Sequence, residues 1–280
     1  MSPIPTASRI FGDRYFRDVR RLEKLHAGSI APGTATWTDA LKALLARMRR
    51  ANSPVKQAAI LGKAIAYLNG VAPEDLAHIM FDCSQDSRSA GMHFATFSAG
   101  LHPFKNVDEE GLSILQHVIY CDRRCRATLI GGCDLAYVSL HAMRRLHERG
   151  YDLTAVQATS IFAFIGILSF LTRGSDKHVG GQLNLHFGDV LVTGSLKHAR
   201  KPMSDGSEAN GTLYDVRTVL AADEIANRDM LEQGHVAAQV VATWLEGDRD
   251  PHQVDSLAEQ IPFLPRREDD YTLRAVTRQS

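Results

Sequence analysis

Apolar residues recur every three or four positions along much of the first half of the chain, which is the spacing of one helix face. Leu41, Leu44, Leu45 and Met48 form such a face on a predicted helix that Thr36 or Thr38 caps and that runs to about residue 51. A second helix is predicted from Ser53-Pro54 to Asn69-Gly70. The same pattern predicts helices over 73–83, 108–132 and 133–148, with a loop over 84–106.

The pattern changes after Gly150. Leu183, Leu185 and Phe187 alternate with polar residues, so 182–197 is predicted as strand, turn and strand. The apolar, β-branched run 153–171 suits strands, although a buried helix fits it almost as well. A short strand is predicted over 212–216 and a terminal helix over 229–245.

This order of elements predicts an α+β fold that is mostly helical overall, with a helical N-terminal lobe followed by a small antiparallel sheet. We expect a single catalytic-type domain over residues 37–246. Residues 1–36 are predicted to be a flexible N-terminal segment, and residues 247–280 a charged tail.

Charge is balanced over the whole chain but not along it. The 280 residues hold 32 Lys and Arg against 32 Asp and Glu, which gives no indication of a nucleic-acid binder. However, residues 1–50 hold ten basic residues against four acidic ones, and residues 203–280 hold seven against fifteen. Either the two ends are simply solvated, or they attract each other, or the basic end meets an anionic partner.

Compartment is indicated by what the sequence lacks. Four cysteines do not make a disulfide scaffold, so a reducing compartment is expected. The longest apolar run, 161–171, is shorter than the roughly 20 residues that a membrane-spanning helix needs, and no signal peptide is visible. We therefore expect a soluble protein that is cytoplasmic, or secreted as an effector without a cleaved signal.

The strongest candidate for a catalytic residue is Cys133, which follows Gly131 and Gly132 at the start of a predicted helix. A thiol at a helix N-terminus has a lowered pKa, and nearby backbone N–H groups can stabilise an oxyanion. In the alternative interpretation, the two glycines end the preceding helix and Cys133 is a small buried residue.

A nucleophilic cysteine needs a histidine, which is best oriented by a carboxylate. If 198–215 is a hairpin, His198 and Asp215 approach each other across it. Two other pairs remain open, together with one candidate oxyanion-hole side chain: His178 with Asp189, His186 with Asp205, and Gln116.

Residues 131–136 (GGCDLA), the helix after them and Gly150-Tyr151 resemble the nucleophile region of transglutaminase-like cysteine proteinases. His198-Ala199 and Leu213-Tyr214-Asp215 are similar to the next elements of that family, His-Ala at a strand start and Leu-x-Asp at a strand end. The resemblance spans about residues 129–216 and implies a papain-like fold. Carried over, it implies Cys133 as nucleophile, His198 as general base and acid, and Asp215 as the residue that orients His198. The long gap between Cys133 and His198, and Pro202 in the supposed strand, depart from the family pattern.

The resemblance implies acyl transfer at a peptide bond or a glutamine side chain of a protein or peptide substrate. Such chemistry needs no cofactor, and some secreted bacterial effectors of this superfamily have similar lengths and helical fronts. Two other hypotheses stay open. One is a non-catalytic helical interaction protein. The other is a helical metal-binding protein that uses His117, Cys121, Cys125 and Cys133, completed by Cys83 or His93.

Overall fold

A computed structural model describes most of the chain. The described residues are 6–72, 79–86, 91–100, 111–121, 127–151, 156–172, 179–202, 208–247 and 253–263. In them the helices are α1 (Thr6–Ile30), α2 (Trp37–Arg50), α3 (Pro54–Asn69), α4 (Leu140–Glu148), α5 (Val156–Thr172), α6 (Arg228–Glu246) and α7 (Val254–Ala258). The strands are β1 (Ile79–Asp86), β2 (Gly91–Gly100), β3 (Gly111–Cys121), β4 (Ala127–Ser139), β5 (Gln182–Phe187), β6 (Val190–Pro202) and β7 (Glu208–Ala221).

All seven strands belong to one sheet, in the order β1-β2-β3-β4-β7-β6-β5. Each neighbouring pair is antiparallel except β4 and β7, which run parallel over Ala136–Val138 and Tyr214–Val216. The α+β prediction is therefore confirmed. The expected small antiparallel sheet is instead a mixed sheet of seven strands that already begins at Ile79.

The predicted helical front is confirmed at α2 and α3. The Thr36 side chain accepts a hydrogen bond from the Asp39 backbone N–H, and the Ser53 side chain accepts one from Lys56, so each satisfies a free donor at its helix start. The buried face of α2 includes Leu41, Leu44, Leu45 and Met48, as the spacing predicts.

Helices lie on both faces of the sheet. One core cluster joins α2 and α3 to Phe94 and Ile119, which are paired across β2 and β3. A larger cluster joins α4 to α7 with Leu112 and Ile114 of β3 and with the inner residues of β4 to β7. Because side chains alternate along a strand, Ile114 and Ile119 point to opposite faces, so β3 is covered on both sides.

The helix predicted over 108–132 is wrong in the described residues, where β3 and β4 take its place, and the helix predicted over 133–148 is confirmed only from Leu140, because β4 occupies its start. Leu135, Ala136, Tyr137 and Val138 are all buried, because β4 is an inner strand with cover on both faces. A strand buried on both faces shows an almost continuous apolar run, which a periodicity argument mistakes for a helix. The helix α4 begins only at Leu140, where the Ser139 side chain accepts a hydrogen bond from Ala142.

Other expectations are also corrected. The segment expected to be flexible contains helix α1, whose Val19, Leu22 and Ile30 are buried. The run 153–171 forms helix α5 over its described part. Strands β1 and β2 replace the ends of the predicted 73–83 helix and part of the 84–106 loop, and the charged tail contributes the buried Leu257 and Ile261. In the described part of the chain, no helix is both long and apolar enough to cross a bilayer.

Candidate functional site

Cys133 lies inside strand β4 rather than at a helix start. Its partner in the register of β3 is Gln116, with a bulge on either side of that pair. The next helix along the chain begins only at Leu140, so Cys133 is not at a helix N-terminus. The helix dipole that was expected to activate the Cys133 thiol is therefore absent at this position. The proposed oxyanion donor Gln116 nevertheless lies on the strand directly beside Cys133.

His198 and Asp215 lie on neighbouring strands but are not brought together. Asp215 is opposite Ser195 and His198 is opposite Thr212, three positions further along the hairpin. Three residues of strand span about 10 Å, and an odd number places the two side chains on opposite faces. His198 is also exposed, whereas Asp215 is 5% exposed.

Cys133 is separated from His198 as well. They belong to β4 and β6, and β7 lies between those strands. Two strand spacings amount to about 9.5 Å, before any difference in level along the strands. The described structure thus does not assemble the triad of Cys133, His198 and Asp215 that the sequence predicts.

Asp215 has other partners. Its Oδ2 forms an ion pair with Lys197 Nζ and lies 3.6 Å from Arg217 Nε. Lys197 is opposite Leu213, so it is the diagonal neighbour of Asp215 on the same face of the sheet. This nearly buried carboxylate is thus held by two cations, and its ion pair with Lys197 links β6 to β7.

The metal hypothesis depended on a helical spacing that the structure does not have. His117 and Cys121 lie on strand β3, where four residues span about 13 Å instead of one helical turn. The His117 Nε2 atom is 3.1 Å from the hydroxyl of Thr38. Cys83 lies on β1 and His93 on β2, while Cys125 is outside the described residues. In the part of the chain that the structure describes, no three His, Cys, Asp or Glu side chains are grouped to hold an ion.

The alternative histidine pairs give a different arrangement. His178 and Asp205 lie outside the described residues. Asp189 accepts a hydrogen bond of 2.6 Å from the hydroxyl of Tyr151, whose pKa is raised by burial and by that carboxylate. His186 on β5 stacks on His235 of α6, with ring centroids 3.9 Å apart. Gly234 allows α6 to approach β5 closely, since a Cβ there would lie 3.2 Å from the backbone N of His186 and would crowd the Leu191 side chain.

We expect His186 to titrate below its ordinary pKa of 6.5. Burial lowers this pKa most, the neighbouring His235 lowers it further, and Asp189 opposes both. The contribution of neutral His186 to stability is complete above pH 6.5 and is lost as the pH falls from there through the lower folded-state pKa. In an NMR titration, His235→Ala should raise the pKa of His186. The control variant His141→Ala, on α4, should leave it unchanged, and an equal response in both variants would contradict the assignment.

The exposed surface of α1 to α3 is strongly basic. Residues 17–72 contain ten Lys and Arg against three Asp and Glu, and all ten cations are exposed. We call this surface the basic face; it consists of Arg17, Arg20, Arg21, Lys24, Lys42, Arg47, Arg49, Arg50, Lys56 and Lys63. One of the three carboxylates, Glu23, is occupied inside the layer, because it accepts a hydrogen bond of 3.0 Å from the backbone N–H of Trp37.

Buried polar contacts hold this layer on the sheet. The indole N–H of fully buried Trp37 donates a 3.1 Å hydrogen bond to the Thr96 hydroxyl on β2. His26 Nδ1 lies 2.9 Å from the hydroxyl of Tyr67, which joins α1 to α3. Because buried polar groups need their partners, these contacts fix how the basic face is displayed.

Exposed apolar side chains occur within the same layer. Leu25 is 53% exposed and Val55 is 78% exposed, and they are the large hydrophobic residues that the described structure leaves exposed. Leu25 lies in an open depression of about 490 Å³ on α1, whose lining consists of Arg21, Lys24, Leu25, Gly28 and Ser29. An apolar centre bordered by cations is a surface that can anchor a partner side chain.

The opposite charge gathers at the C-terminal elements. In the described residues 222–247 and 253–263, seven exposed carboxylates stand against Arg228 as the one Lys or Arg. We call this surface the acidic face; it consists of Asp223, Glu224, Asp229, Glu232, Glu246, Asp255 and Glu259. Within it, Glu224 pairs with Arg145 and Arg149 of α4, and its pKa is lowered by the Ala221 backbone N–H and by these arginines.

The sequence signals the charge asymmetry but not its arrangement on α1 to α3 and α6. The stacking of His186 on His235 has no local signal, since it depends on how α6 packs on β5. The Lys197–Asp215 pair could have been found from its diagonal spacing, if the hairpin register were known. Comparisons of the chain with protein-family models, with curated proteins and with solved structures give no match, so function is inferred from these surfaces alone.

Proposed function

We propose that this chain is a binding protein whose basic face docks an acidic protein partner. The observation that carries the proposal is the exposure of all ten Lys and Arg side chains of residues 17–72 on one helical layer. Such a surface attracts an anionic partner over a distance and speeds its encounter. Of the hypotheses drawn from the sequence, the non-catalytic interaction protein agrees best with this arrangement.

Three features favour a protein partner over a nucleic acid. The exposed Leu25 and Val55 suit an interface with an apolar centre and a charged rim. The aromatic residues of 17–72 are Trp37, which is fully buried, and Tyr67, which is half-buried, so residues 17–72 present no fully exposed ring for base stacking. The acidic face of the same molecule repels a long polyanion.

The depression around Leu25 is where we place the centre of the interface. A leucine or methionine of the partner would cover Leu25, while neighbouring carboxylates would meet Arg21 and Lys24 at the rim. Rim charges set the encounter rate and the salt dependence, and the apolar contact at the centre supplies residence time.

The proposal is tested with a fluorescent amphipathic peptide that carries leucine on one face and glutamate on the other. We expect it to bind at low salt and to weaken as salt screens the charges. The matched control replaces every glutamate by lysine and should leave the backbone amides around Arg21, Lys24 and Leu25 unperturbed, because the basic face repels it. Failure of the acidic peptide to bind would contradict the proposal, as would tighter binding of duplex DNA or of phosphatidylserine vesicles under the same conditions.

A second candidate function is cysteine-dependent acyl transfer, in a cytoplasmic or exported protein with a papain-like fold. It is favoured by one observation, the position of Gln116 directly across from Cys133 in the register of β3 and β4. A glutamine amide beside a thiol can donate a hydrogen bond to an oxyanion. The histidine would have to be one other than His198, given the strand that intervenes.

The second candidate predicts that Cys133 alone reacts quickly with iodoacetamide near neutral pH. A thiolate is the reactive form, so a thiol activated by its surroundings is labelled before ordinary ones. Mass spectrometry of partially labelled protein compares Cys133 with the internal controls Cys83, Cys121 and Cys125. Equal or slower labelling of Cys133 would exclude it as an activated nucleophile.

A further inference from the structure

We infer that a second copy of this chain is a partner for the basic face, and that it docks through its acidic face. The inference rests on the proposed function and names the partner. Its basis is that one molecule carries two complementary surfaces, ten exposed cations on residues 17–72 and seven exposed carboxylates in the described residues 222–247 and 253–263. The whole chain has no net charge, so copies do not repel one another as they would if they carried one sign.

The two faces lie over different parts of the sheet. Helix α1 packs on β2 and on α4, whereas α6 packs on β5 at the edge of the sheet. Five strand spacings separate β2 from β5, which is about 24 Å. Exposed charges this far apart are screened within one molecule at ordinary salt, so Asp229 and Glu232 of α6 are available to another copy, whereas Glu224 is already paired with Arg145 and Arg149.

Helix α6 also offers apolar side chains to match Leu25. Met230 and Leu231 are half-buried and lie next to the exposed Asp229 and Glu232. Residues three apart on a helix share a face, so the two carboxylates form one acidic edge. We place Asp229 and Glu232 of one copy against Arg21 and Lys24 of the next, with the partly exposed apolar residues over Leu25.

This contact joins two different surfaces, so it is heterologous. After the first contact, one copy still has an unoccupied acidic face and the other still has an unoccupied basic face. Association then continues head to tail into chains, unless the rotation between copies closes a ring. The interface is electrostatic at its rim, so it should weaken as salt rises.

The test uses charge swaps on both faces of the full chain. Variant A carries Arg21→Glu and Lys24→Glu, and variant B carries Asp229→Lys and Glu232→Lys. Analytical ultracentrifugation at about 20 mM salt, where the Debye length exceeds 20 Å, should show wild-type association and monomeric A and B. Mixing A with B should restore association, because the unchanged α6 of A meets the unchanged α1 of B and the acidic α1 of A meets the basic α6 of B. One chain that carries all four substitutions should also associate.

Association of the chain with all four substitutions separates this contact from non-specific attraction, because that chain has no net charge, as in the wild type, whereas A and B have opposite net charges and attract each other in any case. Circular dichroism checks that A and B are folded. The chain with all four substitutions tests the contact even if A or B does not fold. A monomeric wild type at low salt, or a mixture of A and B that stays monomeric, would overturn self-association. A four-substitution chain that stays monomeric would also overturn self-association. Binding of the acidic peptide by the wild type would then still support the proposed function, whereas loss of both results would remove both proposals.

Discussion

Replacing Trp37 by alanine is expected to lower the free energy of unfolding by about 3 to 5 kcal/mol. Trp37 is fully buried in the cluster that joins α2 and α3 to β2 and β3. Its removal leaves a large cavity and also deprives the Thr96 hydroxyl of the indole N–H that donates to it. Because these contacts hold the helical layer on the sheet, acidic-peptide binding should weaken as well.

Urea unfolding followed by circular dichroism measures this effect. Trp37→Phe is the control that separates the two causes, since it keeps most of the ring volume and removes the N–H donor. We expect it to cost about 1 to 2 kcal/mol. A loss below about 1 kcal/mol for the alanine variant would show that Trp37 does not anchor α2 to the sheet, because emptying a core site that does so costs about 3 to 5 kcal/mol.

Reversing two charges of the basic face is expected to weaken acidic-peptide binding at low salt by at least about tenfold. Arg21→Glu with Lys24→Glu places two carboxylates beside Leu25, where the peptide brings carboxylates of its own. Like charges then meet at the rim, and the encounter rate falls together with the affinity. The loss should shrink as salt rises, since exposed charges are screened.

The matched control applies the same change in net charge elsewhere. Arg200 on β6 and Arg228 on α6 are both exposed and lie outside the basic face. Their double reversal to glutamate should change peptide affinity by less than about threefold, since distant exposed charges are largely screened. Equal losses in the two double variants would show that the peptide responds to net charge alone, and the docking site on α1 would be refuted.

Local signals in the sequence predicted the helical front well. The caps Thr36 and Ser53 and the apolar spacing of α2 act within a few residues, so they need no knowledge of the rest of the fold. The hairpin of β5 and β6 was also found, because Leu183 and Leu185 alternate with polar residues. These elements have one buried face, and their pattern shows it.

The same reasoning predicted the wrong secondary structure for the inner strands. Leu135 to Val138 are apolar on both sides because β3 and β7 flank β4 and helices cover the sheet. The predicted role of Cys133 depended on a helix that starts at residue 133, so the error at the start of the predicted 133–148 helix also removed the basis for that role. The triad depended on a second distant fact, the register of β6 and β7, which puts Ser195 rather than His198 opposite Asp215.

The uneven distribution of charge, in contrast, was already visible in the sequence. The excess of basic residues near the start of the chain raised the possibility of an anionic partner. Whether those residues are buried in internal pairs or displayed outward depends on packing, which the sequence does not contain. The structure displays all ten cations of residues 17–72, and this turns a compositional observation into a candidate surface.

The measurement that tests the central claim most directly is amide chemical-shift mapping of the wild-type protein during titration with the leucine and glutamate peptide. The account predicts that the perturbed amides lie in the C-terminal half of α1, around Arg21, Lys24 and Leu25, and saturate with the affinity found by fluorescence. Perturbations centred on the strands around Cys133, or spread evenly over the surface, would contradict it.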